Sequence, residues 1–322
     1  MTSLSGIIKS LEIIYPRSLS EDWDIQDPLQ VGDTEANITK ILVALDVRDE
    51  VIDEAIQIGA DLILTHHPFI FKPIKSITST DPLARRIMKM IRHNIACVCY
   101  HTSADSAIGG LNDFLAFQLG LDDLRPILPS DSTNDELSTI AFGNIKLPST
   151  QLELPLSKGM FFSVDDSTSR CLIYGESDLK NQLEPLYSLR AGLGRRGEFK
   201  EEKSVNEVVT MLRTTFEMFL GSKHVQPIRV AGSLEKKVKK IGICSGSGSS
   251  LLPKVTDCDL FITGDVGFHH VQAAVDSDVV IVDATHWNTE GIYEEVFAER
   301  IKSLVNVEVV RSEFKGDLFI NC

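Results

Sequence analysis

The chain has 322 residues, and at about 150 residues per domain that length points to two domains or one large domain with an insertion. Its formal net charge of −14, with 43% apolar and 24% charged residues, describes an ordinary globular composition. It argues against disorder and against non-specific nucleic-acid binding through phosphate neutralisation. The longest apolar runs are strand-length, far short of the ~20 residues of a membrane span.

Met1 to Tyr15 is apolar every three or four residues and has no basic lead, so it predicts an amphipathic helix of the fold and not a secretion signal. The expected location is cytoplasmic, with nuclear residence left open because no basic cluster stands out. Strand and helix patterns then alternate. Strands are predicted at Lys40 to Leu45, Asp61 to Leu64 and Ile95 to Tyr100. Helices are predicted at Glu50 to Ile58, Pro82 to Arg92 with Asp81 as its cap, and Leu111 to Leu119. The rhythm returns later, with strands at Val238 to Cys244, Asp259 to Ile262, Val279 to Val282 and Val305 to Arg311. Helices are expected at Val205 to Phe219, His269 to Val275 and Gly291 to Leu304, and the charged run Glu198 to Lys203 reads as a solvated turn. The fold class is α/β, with two lobes of mostly parallel mixed sheets at 1–124 and 191–322. Between them, 125–190 reads as a small α+β insertion. It has strand-like runs at Thr139 to Ile145, Met160 to Val164 and Cys171 to Tyr174, and a helix at Leu179 to Ser188.

The six cysteines, at 97, 99, 171, 244, 258 and 322, include no C-x-x-C pair. Reduced, buried thiols are expected. The histidines are more informative. Ligands of open α/β sheets bind beyond the carboxyl ends of the strands, and six of the eight histidines follow predicted strand ends. Strand ends run into Thr65-His66-His67-Pro68, into His101 through Asp105, into Thr263-Gly-Asp265 with His269 and His270 beyond, and into Asp283-Ala-Thr-His286 with Glu290 one turn later. Imidazole with carboxylate suits Zn, Mn, Fe, Co or Ni, and the lack of paired cysteines argues against a thiolate site. His286 and Glu290, four apart, share a face if that segment is helical. His66, His67, Asp105, His286 and Glu290 are the candidate ligands, with Asp105 and Glu290 able to bridge two ions. A lone histidine at a strand end is more often a hydrogen-bonded loop residue, and that reading is preferred for His93 and His224. Cys244-Ser-Gly-Ser-Gly-Ser-Ser250 is either a backbone anion cradle or a tight strand-to-helix turn. Gly192-Leu-Gly-Arg-Arg-Gly197 reads as a basic turn, with phosphate binding by its arginines as the alternative.

With these motifs in view, the chain resembles the NGG-interacting-factor-three family, also described as GTP cyclohydrolase I type 2-like dinuclear metal proteins. The resemblance rests on Thr65 to Phe71, His101 to Asp105 continuing through Gly109-Gly-Leu-Asn-Asp113, Cys244 to Ser250, Thr263 to Asp265 with His269-His270, and His286-x-x-x-Glu290. Trp23-Asp24 with Leu29 to Asp33 and the Gly192 to Gly197 element add to it. It covers about 1–124 and 191–322. Thr285 departs from the pattern, standing where glycine is usual, as do Trp287 and the segment Ile25 to Pro28. The resemblance implies two α/β lobes around a dinuclear centre, a toroidal homohexamer, and metal ligation by His66, His67, Asp105, His286 and Glu290. His101, His269 and His270 then take supporting or proton-transfer roles.

The expected function is a metal-dependent hydrolase with two divalent ions per chain (Zn, Mn, Fe, Co or Ni). Its substrate would be a nucleotide or another small phosphorylated or cyclic amide compound, with GTP ring opening as the reaction the resemblance suggests. No nucleic-acid or membrane partner is expected. The alternative is a non-catalytic metal-binding interaction protein with transcription-related protein partners. Five ligands shared by two ions leave open positions, which favours catalysis over a closed structural site.

Overall fold

The computed structural model describes residues 2–130, 191–302 and 304–319, and within 131–190 the backbone of the strands Ile140–Ile145, Gly159–Ser163, Ser169–Tyr174 and Glu184–Pro185. The chain divides into two compact units, one of 1–104 with 293–315, the other of 105–292 with 316–322.

The first unit holds a five-stranded sheet in the order Glu308–Arg311, Lys40–Ala44, Leu62–Thr65, Ala96–Cys99, Leu29–Val31. The first four strands are parallel and the last is antiparallel. Leu62, Ile63, Leu64 and Thr65 are all buried, which matches a parallel strand covered on both faces and explains its lack of apolar alternation. Helices Asp49–Ile58 and Pro82–Arg92 complete the crossovers. The second starts where Asp81 accepts from the Ala84 amide at 2.8 Å, with Pro82 at its first position. Helix Tyr293–Lys302 packs on strands Lys40–Ala44 and Glu308–Arg311, and its Phe297 stacks on Tyr15 at 4.7 Å. The sequence rhythm groups this last helix and strand with the C-terminal lobe. They lie in the first unit because Glu308–Arg311 adds in parallel beside Lys40–Ala44.

The second unit holds a six-stranded mixed sheet in the order Arg229–Ala231, Val280–Asp283, Leu260–Gly264, Lys237–Ser247, Arg195–Ser204, Asp122–Arg125. Only the central pairs are parallel. The run Glu198 to Lys203, expected as a turn, lies in the strand Arg195–Ser204 with a register shift between its two ends. Its exposed residues 200–202 carry charge at a bulge, a usual device near a sheet edge. Helix Val205–Leu220 begins with a capping box, in which Ser204 accepts from the Glu207 amide while Glu207 accepts from the Ser204 amide. The helix predicted over Gly291 to Leu304 is Tyr293–Lys302, and a separate short helix, His286–Glu290, precedes it.

Within 131–190, strands Gly159–Ser163, Ser169–Tyr174, Ile140–Ile145 and Glu184–Pro185 form an antiparallel sheet. The helix expected over Leu179 to Ser188 is contradicted at Glu184–Pro185, which pairs as an edge strand. Pro185 has no amide to donate to a helix but is tolerated at an edge. The rest of that stretch lies outside the described residues.

Candidate metal centre

In the first unit, three strand-end histidines come together. His66 and His67 leave the strand Leu62–Thr65, and His101 follows Ala96–Cys99, so neighbouring parallel strands deliver all three to one sheet end. Ligand-capable nitrogens of His66, His67 and His101 lie within 4.8 Å of one another. The turn after Thr65 is fixed by the Thr65 hydroxyl donating to the His67 carbonyl at 3.0 Å and the His67 amide donating to Leu45 O at 3.1 Å. His66 is buried, its ring 5.0 Å from that of Tyr293.

What stands behind the rings matters as much. His67 Nδ1 meets Asp46 Oδ1 at 2.8 Å, His101 Nδ1 meets Asp24 Oδ1 at 2.9 Å, and His66 Nδ1 meets the Tyr100 carbonyl at 3.3 Å. An acceptor at Nδ1 selects the tautomer that carries its proton there and leaves the Nε2 lone pair for another partner. Carboxylate or carbonyl behind imidazole is the arrangement that orients metal-binding histidines. Asp24 is itself held, by the Thr102 amide at 3.0 Å, the Thr102 hydroxyl at 2.5 Å and the Ile25 amide at 2.8 Å. Burial works to raise its pKa, but the hydrogen bond and charge of His101 and the bonds from Thr102 outweigh it and hold the carboxyl at about 2.

In the second unit the donors are acidic. Helix Thr102–Ser106 carries Asp105, and helix His286–Glu290 follows strand Val280–Asp283. His286 Nε2 lies 2.7 Å from Glu290 Oε2 and its Nδ1 lies 2.8 Å from Asp265 Oδ2. A ring with carboxylates at both nitrogens is built to share a cation, either a proton or a metal ion. The short helix is pinned. Asn288 bonds both the amide and the carbonyl of Gln226, and Thr289 accepts from the Gly246 amide at 3.0 Å. Thr285 caps it at φ 68°, accepting from the Asn288 amide. Asn112 ties Asp105 to the next strand, donating to the Asp105 carbonyl at 3.3 Å and accepting from the Ser245 amide at 2.8 Å.

The glycines of the Cys244 to Ser250 motif serve this geometry. Gly246 has φ 61°, and a Cβ there would lie 2.0 Å from Glu290 Oε1. The motif therefore clears space for a carboxylate, which favours the tight-turn reading over an anion cradle. Burial first, then the negative charges of Asp105 and Glu290, push the Cys244 thiol up, and burial raises Cys97 to about 12. Cys97, Cys99, Cys244 and Cys258 are all buried and outside any disulfide. The donors on offer are thus imidazole and carboxylate, a set that fits Zn, Mn, Fe, Co or Ni.

Other residues singled out from the sequence lie elsewhere. Arg195 is 2% exposed. It makes a bidentate pair with Asp113, at 2.5 and 3.0 Å, and donates to the carbonyls of Gly192, Gly194 and Ala107. Its donors are spent inside the fold, so it is no phosphate ligand. Arg196 pairs with Asp257 at 2.9 Å. His269 and His270 are exposed at the start of helix Phe268–Asp276. His269 lies edge-on to Phe268, and His270 lines a cavity of about 310 Å³ with Ser249, Leu252, Val255 and Ala274. His93 ends helix Pro82–Arg92, and the His224 carbonyl accepts from Trp287 Nε1 at 2.8 Å, so both have structural roles. Sequence reading missed Asp46, took Asp24 only as part of a signature, and named Asp265 at a strand end and in the signature without assigning it to His286. Each contacts its histidine across 21 or more positions, and residue spacing carries no signal for that.

Residues 2–317 match the Duf34/NIF3 (NGG1p interacting factor 3) family. The chain belongs to the Duf34/NIF3 family. A GTP cyclohydrolase 1 type 2 homolog of Clostridium perfringens is 32% identical over 308 residues, covering 95% of this chain and 94% of its own. Human NIF3-like protein 1 is 27% identical over 322 residues, covering 89% of this chain and 83% of its own. The crystal structure of a Bacillus cereus protein related to NIF3 superposes with a TM-score of 0.76 at 25% identity, covering 100% of this chain and 99% of its own. This NIF3 protein thus has the fold of its structural relatives. Among the described residues, no helix is long and apolar enough to cross a membrane.

Proposed function

We propose that this NIF3 protein is a metal-dependent hydrolase in which His66, His67, Asp105, His286 and Glu290 hold two divalent ions. The observation that supports the reading is the support behind the rings. His66, His67 and His286 each have Nδ1 against an oxygen acceptor, which leaves Nε2 for a cation, and His101 has the same support behind a ring kept for proton transfer. Histidines recruited only for packing have no need of such uniform support. The ions would supply Lewis-acid polarisation of the substrate and acidification of water. The chain's own part is proton handling. His101 accepts a proton at Nε2 while Asp24, pinned by Thr102, stabilises the imidazolium. The same reading gives supporting roles to His269 and His270, which are exposed on their helix. The names of the bacterial relatives suggest a nucleotide substrate and GTP-cyclohydrolase-like chemistry. The same reading takes the protein as a cytoplasmic, ring-shaped homohexamer, which mass measurement in solution checks.

The test is metal content per chain by mass spectrometry on untagged protein purified without chelator. About two transition-metal ions per chain, lost in Glu290→Gln, support the centre, and turnover on a nucleotide panel lost in Asp105→Asn supports catalysis. Metal bound with equal turnover in Asp105→Asn and wild type would assign the protein to the non-catalytic, partner-binding alternative.

A further inference from the structure

Large aromatic side chains are worth explaining when they are left in water. Two of them sit together beside the histidines of the first unit. Trp23 is 60% exposed and Phe71 is 49% exposed. Their rings meet edge to face, with centroids 6.3 Å apart and planes at 69°. The Trp23 ring is also 5.8 Å from that of His101, at 77°. The chain's other tryptophan shows what a structural one looks like here. Trp287 is 8% exposed and its Nε1 is hydrogen-bonded.

We propose that Trp23 and Phe71 form a stacking corner that receives the planar heteroaromatic ring of the substrate beside His101. The assignment rests on the metal-hydrolase reading and names the substrate class for the same site. A flat ring can lie face to face on one aromatic wall and present its edge to the other, the two geometries aromatic quadrupoles prefer. An aliphatic chain has no π face to match such a corner, and titration with ribose 5-phosphate separates a sugar from a heteroaromatic ring. The corner is anchored on the network that holds the cluster. Trp23 adjoins Asp24, whose carboxylate is fixed by Thr102, Ile25 and His101. Phe71 follows Ile70, whose amide donates to Gln30 at 2.9 Å, and lies four residues beyond His67. A ring seated on Trp23 therefore lies next to His101, where proton transfer is assigned.

Because Trp23 is the exposed member of the chain's two tryptophans, its fluorescence reports stacking without any turnover. Metal-loaded full-length protein is titrated with GMP, which has ring and phosphate, and with ribose 5-phosphate, which lacks the ring. The expected result is saturable quenching by GMP, with affinity weakened roughly 5- to 150-fold in Trp23→Ala and Phe71→Ala by calorimetry. Trp23→Phe keeps most of the GMP affinity, and ribose 5-phosphate binds wild type and variants alike. Circular dichroism and metal content confirm that the variants fold and load. GMP binding unchanged by both alanine variants, or an equal loss for ribose 5-phosphate, overturns the corner. So does a change of assembly mass with GMP binding intact, which would make these rings a contact between copies. Failure of GMP to bind metal-loaded wild type also overturns it and leaves the metal centre standing. GMP stacking on a protein that never takes up metal sinks the metal reading instead and leaves the corner.

Discussion

In the first unit three imidazoles converge and the carboxylates of Asp24 and Asp46 stand behind two of them. In the second, the carboxylates of Asp105 and Glu290 are themselves the candidate donors, and only His286 brings a ring. The contrast separates two tasks. Neutral nitrogen donors need orientation, which outer acceptors supply. Negative donors supply the charge that holds a divalent ion, and they need a frame that tolerates them in a buried place. The second unit builds that frame from Arg195, Asp113, Asn112 and the glycine at 246.

The sharpest way to break this division is to remove a charged donor. Glu290→Gln should lose metal outright, read by mass spectrometry, and metal retained at the wild-type level would remove Glu290 from the ligand set. The frame makes the next prediction. Arg195→Met strands the Asp113 carboxylate and three carbonyls in the interior, so unfolding free energy should fall by about 3–5 kcal/mol in urea titration. A loss below about 1 kcal/mol would mean that the pair is incidental to the fold.

A smaller effect is expected beside the first cluster. Glu294 is buried, pairs with the partly exposed Lys315 and takes a hydrogen bond from the Leu45 amide. Burial lifts its carboxyl from the usual 4.5 to about 7, with Lys315 and the Leu45 amide opposing the rise and Glu54 adding to it. A carboxyl whose folded pKa is raised contributes stability below its unfolded pKa and loses it as pH climbs through the folded one. Wild type should therefore lose about 3 kcal/mol between pH 4.5 and pH 7.5 relative to Glu294→Gln. A flat difference between the two proteins across that window would exclude the effect. Outer acceptors rank next. Asp46→Asn, Asp24→Asn and Asp265→Asn should each weaken metal binding about 10- to 100-fold while leaving stoichiometry at saturation unchanged. Loss of stoichiometry would instead make that aspartate a ligand.

Much of the first unit was legible because its parallel strands are short β-branched runs between capped helices, as at Lys40–Ala44 and Asp81-Pro82. The strand-end rule also pointed to His66, His67 and His101, which do meet. The antiparallel edges were not legible. Arg195–Ser204 carries a charged bulge that reads as a turn, and Leu29–Val31 is too short for its alternation to register. Arg195 looked solvent-facing because flanking glycines suggest a loop, whereas its partner Asp113 lies 82 positions away. Asp46 was invisible, and the pairing of Asp265 with His286 unread, for the same reason, since a contact across the fold leaves no local period.

The smallest effect concerns the turn into the second cluster. Thr285 holds φ 68° and ψ 153°, a region that glycine occupies freely and a β-branched residue does not. Strain of about 1–3 kcal/mol is expected there, offset in part by the cap that its hydroxyl gives the Asn288 amide at 3.2 Å. Two substitutions separate the terms. Thr285→Ala loses the cap and keeps a Cβ in the strained region, so stability should drop by about 1 kcal/mol. Thr285→Gly also loses the cap but relieves the strain, so it should be more stable than Thr285→Ala by about 1 kcal/mol or more, even though glycine costs entropy. Urea midpoints at equal m-values read the difference. Equal stability of the two variants would mean that the backbone relaxes at 285 without glycine, and that the approach of His286 to Glu290 is set by the pinned helix alone.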